Sequence, residues 1–414
     1  MSDRAVVVLG GGIGGVVAAR RLRQRLDPGA RVVLVERDPL LRFAPSFLWV
    51  MAGWRTPEGV TADLRRLRRR GIELVEAEVE GVDPDGRAVA TTAGPLAYDR
   101  LVVALGAELD PEALPGFAEH AHSVYTLDGA AAAGRALQGL DEGRVAVVVS
   151  SLPYKCPAAP WEAAFLADAV LRRRGVRERC PVDVYTPEPF PMPTAGPELG
   201  AELRAMLEGR GIGVHTERSV QSITGDGLLL AGGEQVPAAL TIGVPPHRAP
   251  RPVRDSSLAG PTGFVPVDPA TLATDAEGVS AIGDVTAIPI AGGKMLPKAG
   301  VFAEGEADVV ARRLADELHG RVPTAEFDGR GSCFVELGGH RAAFATGRFY
   351  GGGRPRGADA PAGPALAPGQ GGVRAVLAAP LGRVTVGRTG IGDLRGGSPG
   401  ARPARSGRLP GRSP

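Results

Sequence analysis

The glycine-rich loop GGGIGG, residues 10–15, constrains the fold of this chain more than any other stretch. It follows the apolar run AVVVL and precedes a helical pattern. Gly10 permits a tight turn, Gly12 leaves room for a diphosphate against the backbone, and Gly15 lets the helix pack closely on the strand. Free N–H groups and the dipole at a helix N-terminus favour an anion there. The loop therefore predicts a dinucleotide-binding site.

A second strand, RVVLVE at 31–36, ends on Glu36. In a nucleotide-binding βαβ unit, an acidic side chain at this place accepts hydrogen bonds from both ribose hydroxyls. Strand, loop, helix, strand and terminal acid occur here in the required order. This order predicts a parallel sheet and an adenosine ribose without a 2′-phosphate.

The rest of the first 350 residues alternates apolar runs with helical patterns, which is typical of an α/β fold. Strands are predicted at 5–9, 31–36, 101–106, 144–149, 182–186, 212–216, 240–243 and 279–285, helices at 14–26, 161–173, 197–210 and 300–318, and a closing hairpin at 333–350. We expect two Rossmann-like domains. Their predicted limits are 1–110 with 245–315 for the first, discontinuous domain, 111–244 for the second, and 316–350 for a small C-terminal region.

Residues 351–414 differ abruptly in composition, with 17 Gly, 9 Pro and 10 Arg and no aromatic residue. Such a segment cannot bury enough apolar surface to offset the entropy of ordering, so we expect a disordered C-terminal tail. The net charge of the whole chain is only +2, which does not support nucleic acid as a partner.

The chain enters a strand almost at once, without the pattern of a signal peptide, and has no apolar run long enough to cross a bilayer. Its 3 cysteines do not form the framework of a secreted disulfide-rich protein. No cluster of side chains has metal-ligand spacing. We therefore expect a cytoplasmic protein that binds no metal.

Two later stretches, LVVALGA and VSAIGDV, resemble the second and third fingerprints of two-dinucleotide-binding flavoproteins. The resemblance implies that Ala104 and Gly106 contact the cofactor and that the cofactor is FAD. It also implies that Gly283 and Asp284 bind the ribityl chain of the flavin. The alternative interpretation of Asp284 is a helix N-cap.

Pro297 and Lys298 precede the helix predicted at 300–318, and proline suits the first turn of a helix. In these flavoproteins that helix directs its N-terminus at the flavin pyrimidine. The helix dipole and Lys298 would then stabilise the negative charge of reduced flavin. The alternative is an ordinary surface lysine at a helix start.

The second domain has the sequence SSLPYKCP where a second nucleotide would need a glycine loop. Pro153 and Pro157 restrict the backbone and lack N–H donors, so we expect no NADH or NADPH site here. Cys156 lies near the start of the next helix and beside Lys155, a setting that lowers the pKa of a thiol. Glu162 is placed to relay protons.

Four segments are similar to the sulfide:quinone oxidoreductase family: PYKCPAAPWE, IGVPPHRAP, LPKAGVFAEGEA and GSCFVELGG. The resemblance covers residues 4–350. It implies that Cys156 and Cys333 are two redox cysteines that face each other across the flavin. For both, the alternative is a small buried apolar residue. Cys180 matches neither position and is interpreted as structural.

The reaction implied by this resemblance begins with attack of sulfide on a Cys156–Cys333 disulfide or its sulfur-bridged equivalent, which leaves a persulfide and a thiolate. Two electrons then reach FAD and pass to a quinone, while the sulfur leaves as polysulfide or moves to an acceptor thiol. The quinone is expected near the aromatic residues Phe302, Phe344, Phe349 and Tyr350. Peripheral contact with the inner face of the cell membrane is implied as well.

The chain departs from the family in three respects. It has no cysteine in residues 107–149, no histidine in TPEPFPMPTAGPELG, and no counterpart in 351–414 of the amphipathic helices with which family members dock on a membrane. The first two departures leave the form of the sulfur product open. The third leaves membrane attachment open.

Three other functions are compatible with parts of the sequence. A type II NADH dehydrogenase is disfavoured by SSLPYKCP, and a flavocytochrome c sulfide dehydrogenase by the absence of a signal-peptide pattern. From a different class, an inactive flavin-binding module or sulfur carrier would bleach once with sulfide and never turn over.

Overall fold

The computed structural model of the protein describes residues 4–339 and 341–350, together with the backbone of residues 374–376. The tail predicted to be disordered, 351–414, lies outside the described residues except for those three. They form a short strand, Arg374–Val376, that pairs antiparallel with residues 344–346.

The first sheet has five strands and carries the glycine loop. In spatial order its strands are Val279–Ala281, Arg100–Val103, Ala5–Leu9, Arg31–Glu36 and Glu73–Glu76. All neighbouring strands run parallel. The central strand, AVVVL, is buried along its whole length, as expected for a parallel sheet with both faces covered. Because residues 279–281 complete this sheet, it is built from two separate parts of the chain.

The second sheet also has five parallel strands. In spatial order they are Ala121–Ser123, Leu240–Val244, Val145–Val149, Val182–Tyr185 and Ile212–His215. The predicted fold class, α/β with two Rossmann-like sheets, is confirmed. The strands of each sheet fall within the predicted domain limits, although the limits themselves remain predictions.

The longer helices pack on the faces of the two sheets. They are Ile13–Arg25, Leu127–Gly139, Ala159–Arg174, Pro197–Glu208 and Gly300–Leu318. The helix Leu127–Gly139 was not predicted, although its N-cap, Thr126, accepts a hydrogen bond from the N–H of Gly129 in the usual capping pattern. Among the described residues, none of the helices combines the length and the apolar character that a bilayer crossing requires.

Shorter elements connect these layers. The short α-helices are Phe47–Met51, Phe117–His120 and Arg251–Arg254. The short strands are Leu40–Arg42, Thr61–Asp63, Val79–Asp83, Ala88–Thr91, Leu96–Ala97, Glu108–Leu109, Val220–Thr224, Gly227–Leu230, Gln235–Pro237, His247–Arg248, Val265–Pro266, Thr286–Ala287, Pro289–Ile290 and Lys294–Met295.

The predicted hairpin is present as the antiparallel strands Arg330–Gly338 and Arg341–Arg348. Three of its apolar side chains, Val335, Leu337 and Ala343, are buried in the core of the second sheet. The hairpin therefore packs on the second half of the molecule, and this packing carries Cys333 toward the loop that contains Cys156.

Candidate active site

A cavity of about 940 Å³ lies at the carboxyl edge of the first sheet, where open α/β sheets bind their ligands. This volume is near the upper end of the range for ligand pockets, about 300–1,000 Å³. The predicted site residues that line the cavity are Gly10, Gly12, Glu36, Ala104, Gly106, Cys156, Glu162, Gly283, Asp284, Lys298 and Cys333. Gly15 is the one predicted site residue outside the lining.

The three glycines of the loop have different roles. Gly10 has a φ of +98°, and a Cβ there would lie 2.5 Å from the carbonyl oxygen of Ala104. A Cβ on Gly15 would lie 1.8 Å from the carbonyl oxygen of Gly10, so this glycine permits the close approach of helix and strand. A Cβ on Gly12 would meet no atom within 4 Å, because Gly12 faces the cavity. A group that approaches the backbone at Gly12 therefore meets no side chain there, as the approach of a diphosphate requires.

The helix Ile13–Arg25 presents an N-terminus suited to an anion, because its N-cap is Gly12 and its first turn holds no acidic residue. The carboxylate of Glu36 accepts hydrogen bonds from the N–H groups of Gly11 and Asp38, at 2.6 and 3.0 Å. These bonds fix the carboxylate at the cavity wall and leave lone pairs for further donors. The geometry fits the diphosphate and ribose of an adenosine nucleotide.

The inner part of the cavity contains the turn Gly283–Val285, a 3-10 helix whose N-cap is Ile282. Asp284 lies inside this turn, so the alternative interpretation of Asp284 as an N-cap is wrong. Burial raises the pKa of Asp284, while the charges of Lys155 and Lys298 act in the opposite direction. Two cations therefore face one carboxylate here.

The ammonium group of Lys298 is held in place by several contacts. It donates to the carbonyl oxygens of Asp284 and Thr286 at 2.6 and 2.9 Å, and it lies 3.6 Å from the ring centroid of Phe264. Burial lowers the pKa of Lys298 to about 8, against the opposing effect of the Asp284 charge. An ordinary surface lysine does not make such contacts.

Glu306 is a buried carboxylate that the sequence analysis did not single out. It lies on the helix Gly300–Leu318 and is only 1% exposed. Its Oε2 accepts a hydrogen bond of 2.6 Å from the N–H of Gly283, and burial raises its pKa to about 7. The sequence feature that could have indicated a role for Glu306 is its place as an acidic residue on the apolar face of an amphipathic helix.

Cys156 lies in a loop, and both its backbone N–H and its backbone carbonyl oxygen form hydrogen bonds. Its N–H donates to the carbonyl oxygen of Lys298 at 2.6 Å. Its carbonyl oxygen accepts from the N–H of Ala159 at 2.9 Å and from the hydroxyl of Tyr125 at 3.2 Å. Cys156 has a φ of +51°, a left-handed conformation that a non-glycine residue adopts only at a cost. These contacts fix the backbone that carries the thiol.

The pKa of the Cys156 thiol differs from the expectation. Burial raises it well above its usual value, and the charges of Glu162 and Cys333 raise it further. The predicted lowering of this pKa is therefore wrong. Loss of water contact outweighs the effect of the neighbouring Lys155 and of the helix that begins nearby.

Cys333 lines the same cavity from the hairpin, and both cysteines are free thiols. Burial raises the pKa of Cys333 to about 12, and the charge of Glu162 acts in the same direction. Glu162 is itself buried, and burial raises its pKa to about 8. One carboxylate therefore interacts with both thiols. Cys180 lies in the core of the second sheet, outside the cavity.

A second buried carboxylate that the sequence analysis missed, Glu188, holds the loop next to Cys156. Both of its oxygens accept from the hydroxyl of Tyr154 at 3.1 Å, and one accepts from the hydroxyl of Thr186 at 3.0 Å. Burial raises the pKa of Glu188 to about 7. The local sequence TPEP does not indicate a role for Glu188, because its partner Tyr154 lies 34 residues away in the chain.

The aromatic residues expected near a quinone fall into two groups. The first group packs on the core of the first sheet and consists of Phe302, Phe349 and Tyr350. Phe344 instead contacts Phe334, with ring centroids 5.0 Å apart. Phe334 was not predicted; it is 54% exposed and lines the cavity next to Cys333.

Comparison with known proteins agrees with this geometry. Residues 4–307 match the family model described as pyridine nucleotide-disulphide oxidoreductase. The sulfide-quinone reductase of Aquifex aeolicus is 30% identical over 332 residues, 76% of this chain and 76% of that protein. The mitochondrial sulfide:quinone oxidoreductase of Mus musculus is 25% identical over 360 residues, 82% of this chain and 77% of that protein. The X-ray structure of the sulfide:quinone oxidoreductase from Aquifex aeolicus matches with a TM-score of 0.76 at 26% identity, covering 83% of this chain and 84% of that one.

The fold and the cavity thus define a flavin-dependent oxidoreductase, and the predicted enzyme class is confirmed. Within that class, the chain belongs to the sulfide:quinone oxidoreductase family of the pyridine nucleotide-disulphide oxidoreductases, as the sequence motifs predicted.

Proposed function

We propose that this protein binds FAD, oxidises sulfide to zero-valent sulfur with Cys156 and Cys333 as its redox pair, and transfers the electrons to a quinone. Sulfide and quinone are the substrates named for the relatives from Aquifex aeolicus and mouse. The observation that carries the proposal is the shared cavity: two cysteines from distant segments line it together with Glu162 and the nucleotide loop.

The residues present fit FAD along the length of the cavity. The diphosphate would lie over Gly12, the adenosine ribose would bind Glu36, and the ribityl chain would reach Asp284. When bound, FAD would supply a two-electron acceptor that a quinone can reoxidise. The ammonium groups of Lys155 and Lys298 would favour additional negative charge at this place.

The chemistry of the cysteines begins with their disulfide. HS⁻ attacks one sulfur, a new S–S bond forms, the disulfide bond breaks, and the second cysteine leaves as a thiolate. Transfer of the outer sulfur to a second sulfide or to an acceptor thiol leaves both cysteines reduced. Reoxidation of the two thiols to the disulfide releases two electrons and two protons.

Glu162 is the base that we assign to these protons. Burial keeps the thiols of Cys156 and Cys333 protonated at neutral pH, so a proton acceptor is needed. The charge of Glu162 acts on both thiols, and its pKa of about 8 lies near a neutral working pH. A general base with such a pKa transfers protons efficiently.

We assign the binding sites of the quinone and the other partners to the open side of the cavity. Phe334 offers an exposed aromatic ring next to Cys333 and packs on the partly buried Phe344, and we place the quinone ring there. Peripheral contact with a membrane surface would deliver a lipid-soluble quinone to this side. An acceptor thiol would remove the sulfur from the same cavity.

The direct test is steady-state reduction of a soluble quinone by sulfide with purified protein, after the released cofactor has been identified as FAD. We expect continuous turnover with sulfide and little or none with NADH, because Pro153 and Pro157 stand in place of a second nucleotide loop. A preparation that bleaches once with sulfide and never turns over would identify a sulfur carrier. Reduction by NADH at a rate comparable to that with sulfide would favour a type II NADH dehydrogenase.

A further inference from the structure

Two buried carboxylates, Glu162 and Glu336, lie next to each other between the cysteines and Trp49. Glu162 lines the cavity, and its Oε1 accepts a hydrogen bond of 2.8 Å from the N–H of Glu336. Glu336 is 8% exposed, and its Oε1 accepts a hydrogen bond of 3.1 Å from the indole N–H of Trp49. Trp49 is half-buried, and the guanidinium carbon of the exposed Arg55 lies 5.8 Å from the Trp49 ring centroid.

The charges around this pair favour protonation of one member. Among the described residues, the groups that face it include the thiols of Cys156 and Cys333, the phenol of Tyr125, the indole of Trp49 and, beyond that indole, the guanidinium of Arg55. Burial makes the largest contribution to the raised pKa of Glu162; the hydrogen bond from the N–H of Glu336 lowers this pKa, and the charge of Glu336 raises it. Like charges on two neighbouring carboxylates disfavour ionisation of both at once.

We propose that Glu336 is the second carboxylate of a proton path that runs from the two cysteines through Glu162 to the surface at Trp49. This role rests on the proposed function, because conversion of HS⁻ to zero-valent sulfur releases one proton for every two electrons that leave. Glu162 is only 7% exposed, and with FAD in the cavity it would need a partner that can pass this proton on. Glu336 acts through Glu162 and is a positioning and relay residue that does not touch the reacting sulfurs.

The test uses the FAD-loaded enzyme and follows the loss of flavin absorbance after anaerobic mixing with sulfide, as a function of pH. Glu336→Gln keeps an oxygen acceptor for Trp49 but cannot titrate. Removing the negative charge makes ionisation of Glu162 easier, so the rise of the rate with pH should move to lower pH. Because the path is broken, the plateau rate should fall about tenfold.

Two further variants keep the test decisive. Glu326→Gln removes an exposed carboxylate near the start of the hairpin and should leave the profile unchanged. Glu336→Asp retains an ionisable group and should recover part of the plateau rate. If Glu336→Gln retains the wild-type profile and plateau while sulfide still reduces the flavin, the relay is wrong and the proposed function stands.

A measurement without turnover separates the two proposals completely. The infrared C=O stretch of protonated carboxyl groups, followed by pH titration of wild type, Glu162→Gln and Glu336→Gln, assigns the band of Glu162 and gives its pKa. The relay predicts that this pKa falls in Glu336→Gln. An unchanged pKa would overturn the relay even if sulfide oxidation were normal, and a lowered pKa would support the pair even if sulfide were not the substrate.

Discussion

The peptide N–H of Cys156 donates to the carbonyl oxygen of Lys298 at 2.6 Å, while the ammonium of Lys298 donates to the carbonyl oxygen of Asp284 at the same distance. A single residue therefore connects the cysteine loop with the turn that contains Asp284. We therefore expect flavin binding and the position of the Cys156 thiol to depend on the same lysine.

Lys298→Met should weaken FAD binding and slow sulfide oxidation together. It removes two hydrogen bonds from a charged donor, each worth about 1.5–3 kcal/mol, that hold the turn containing Asp284 in place. It also removes a cation that acts on Asp284. With the turn loosened and the cation lost, we expect the affinity for FAD to fall about tenfold. Lys294→Met is the matched control, because Lys294 donates to the carbonyl oxygen of Pro193 and does not line the cavity. Fluorescence titration of the apoprotein with FAD measures the affinity. Equal effects of the two substitutions would contradict this assignment.

The glycine loop gives a second prediction. Gly12→Ala places a methyl group in the space assigned to the diphosphate, so FAD occupancy should fall while the melting temperature of the apoprotein stays the same. Gly15→Ala drives a methyl group into the carbonyl oxygen of Gly10 and should lower the melting temperature of the apoprotein itself. If Gly12→Ala bound FAD normally, the diphosphate would have to lie elsewhere.

The hydrogen bond between Tyr154 and Glu188 should contribute to stability as well as to activity. Tyr154→Phe leaves a buried carboxylate without one donor, at a cost of about 1–3 kcal/mol in the free energy of unfolding, and should slow sulfide oxidation by loosening the cysteine loop. Tyr98→Phe is the control, since the hydroxyl of Tyr98 has no partner among the described residues and its removal should be neutral or stabilising. Denaturant unfolding decides the comparison, and similar losses for both variants would rule out the assigned role.

Much of the nucleotide half of the site could be predicted, because its signals are local. The tight turn requires Gly10, the close packing requires Gly15, and the acid expected to bind a ribose is Glu36, all at set distances along one βαβ unit. The structure places Glu36 and Gly10 at the cavity as the spacing indicates.

The contacts of Glu188 and Glu306 could not be predicted in this way. Each carboxylate finds its partner only when distant segments pack, Glu188 on Tyr154 and Glu306 on the N–H of Gly283. The predicted direction of the pKa shift of Cys156 was wrong for a related reason. The sequence shows the neighbouring lysine but not the depth of burial, and burial dominates.

Glu162 should make stability depend on pH in a definite direction. Its pKa is raised from 4.5 to about 8 in the folded protein, so the folded state binds this proton more tightly than the unfolded state. The resulting stabilisation is present below the unfolded pKa and is lost as pH rises through about 8. Glu162→Gln does not titrate, so its melting temperature relative to wild type should increase from mildly acidic to alkaline pH. A difference that stays constant with pH would show that Glu162 is ionised throughout.

The central claim is that Cys156 and Cys333 form one redox unit facing the flavin, and anaerobic mixing of the FAD-loaded protein with sulfide tests it most directly. The flavin absorbance should bleach in wild type and in Cys180→Ser and return when a soluble quinone is added. Cys156→Ser and Cys333→Ser should each retain FAD but fail to bleach, and the double variant should be no worse than either single one, because a serine can neither form the disulfide nor hold a sulfur atom. Near-normal bleaching and turnover in Cys333→Ser would contradict the account, since Cys156 would then act alone.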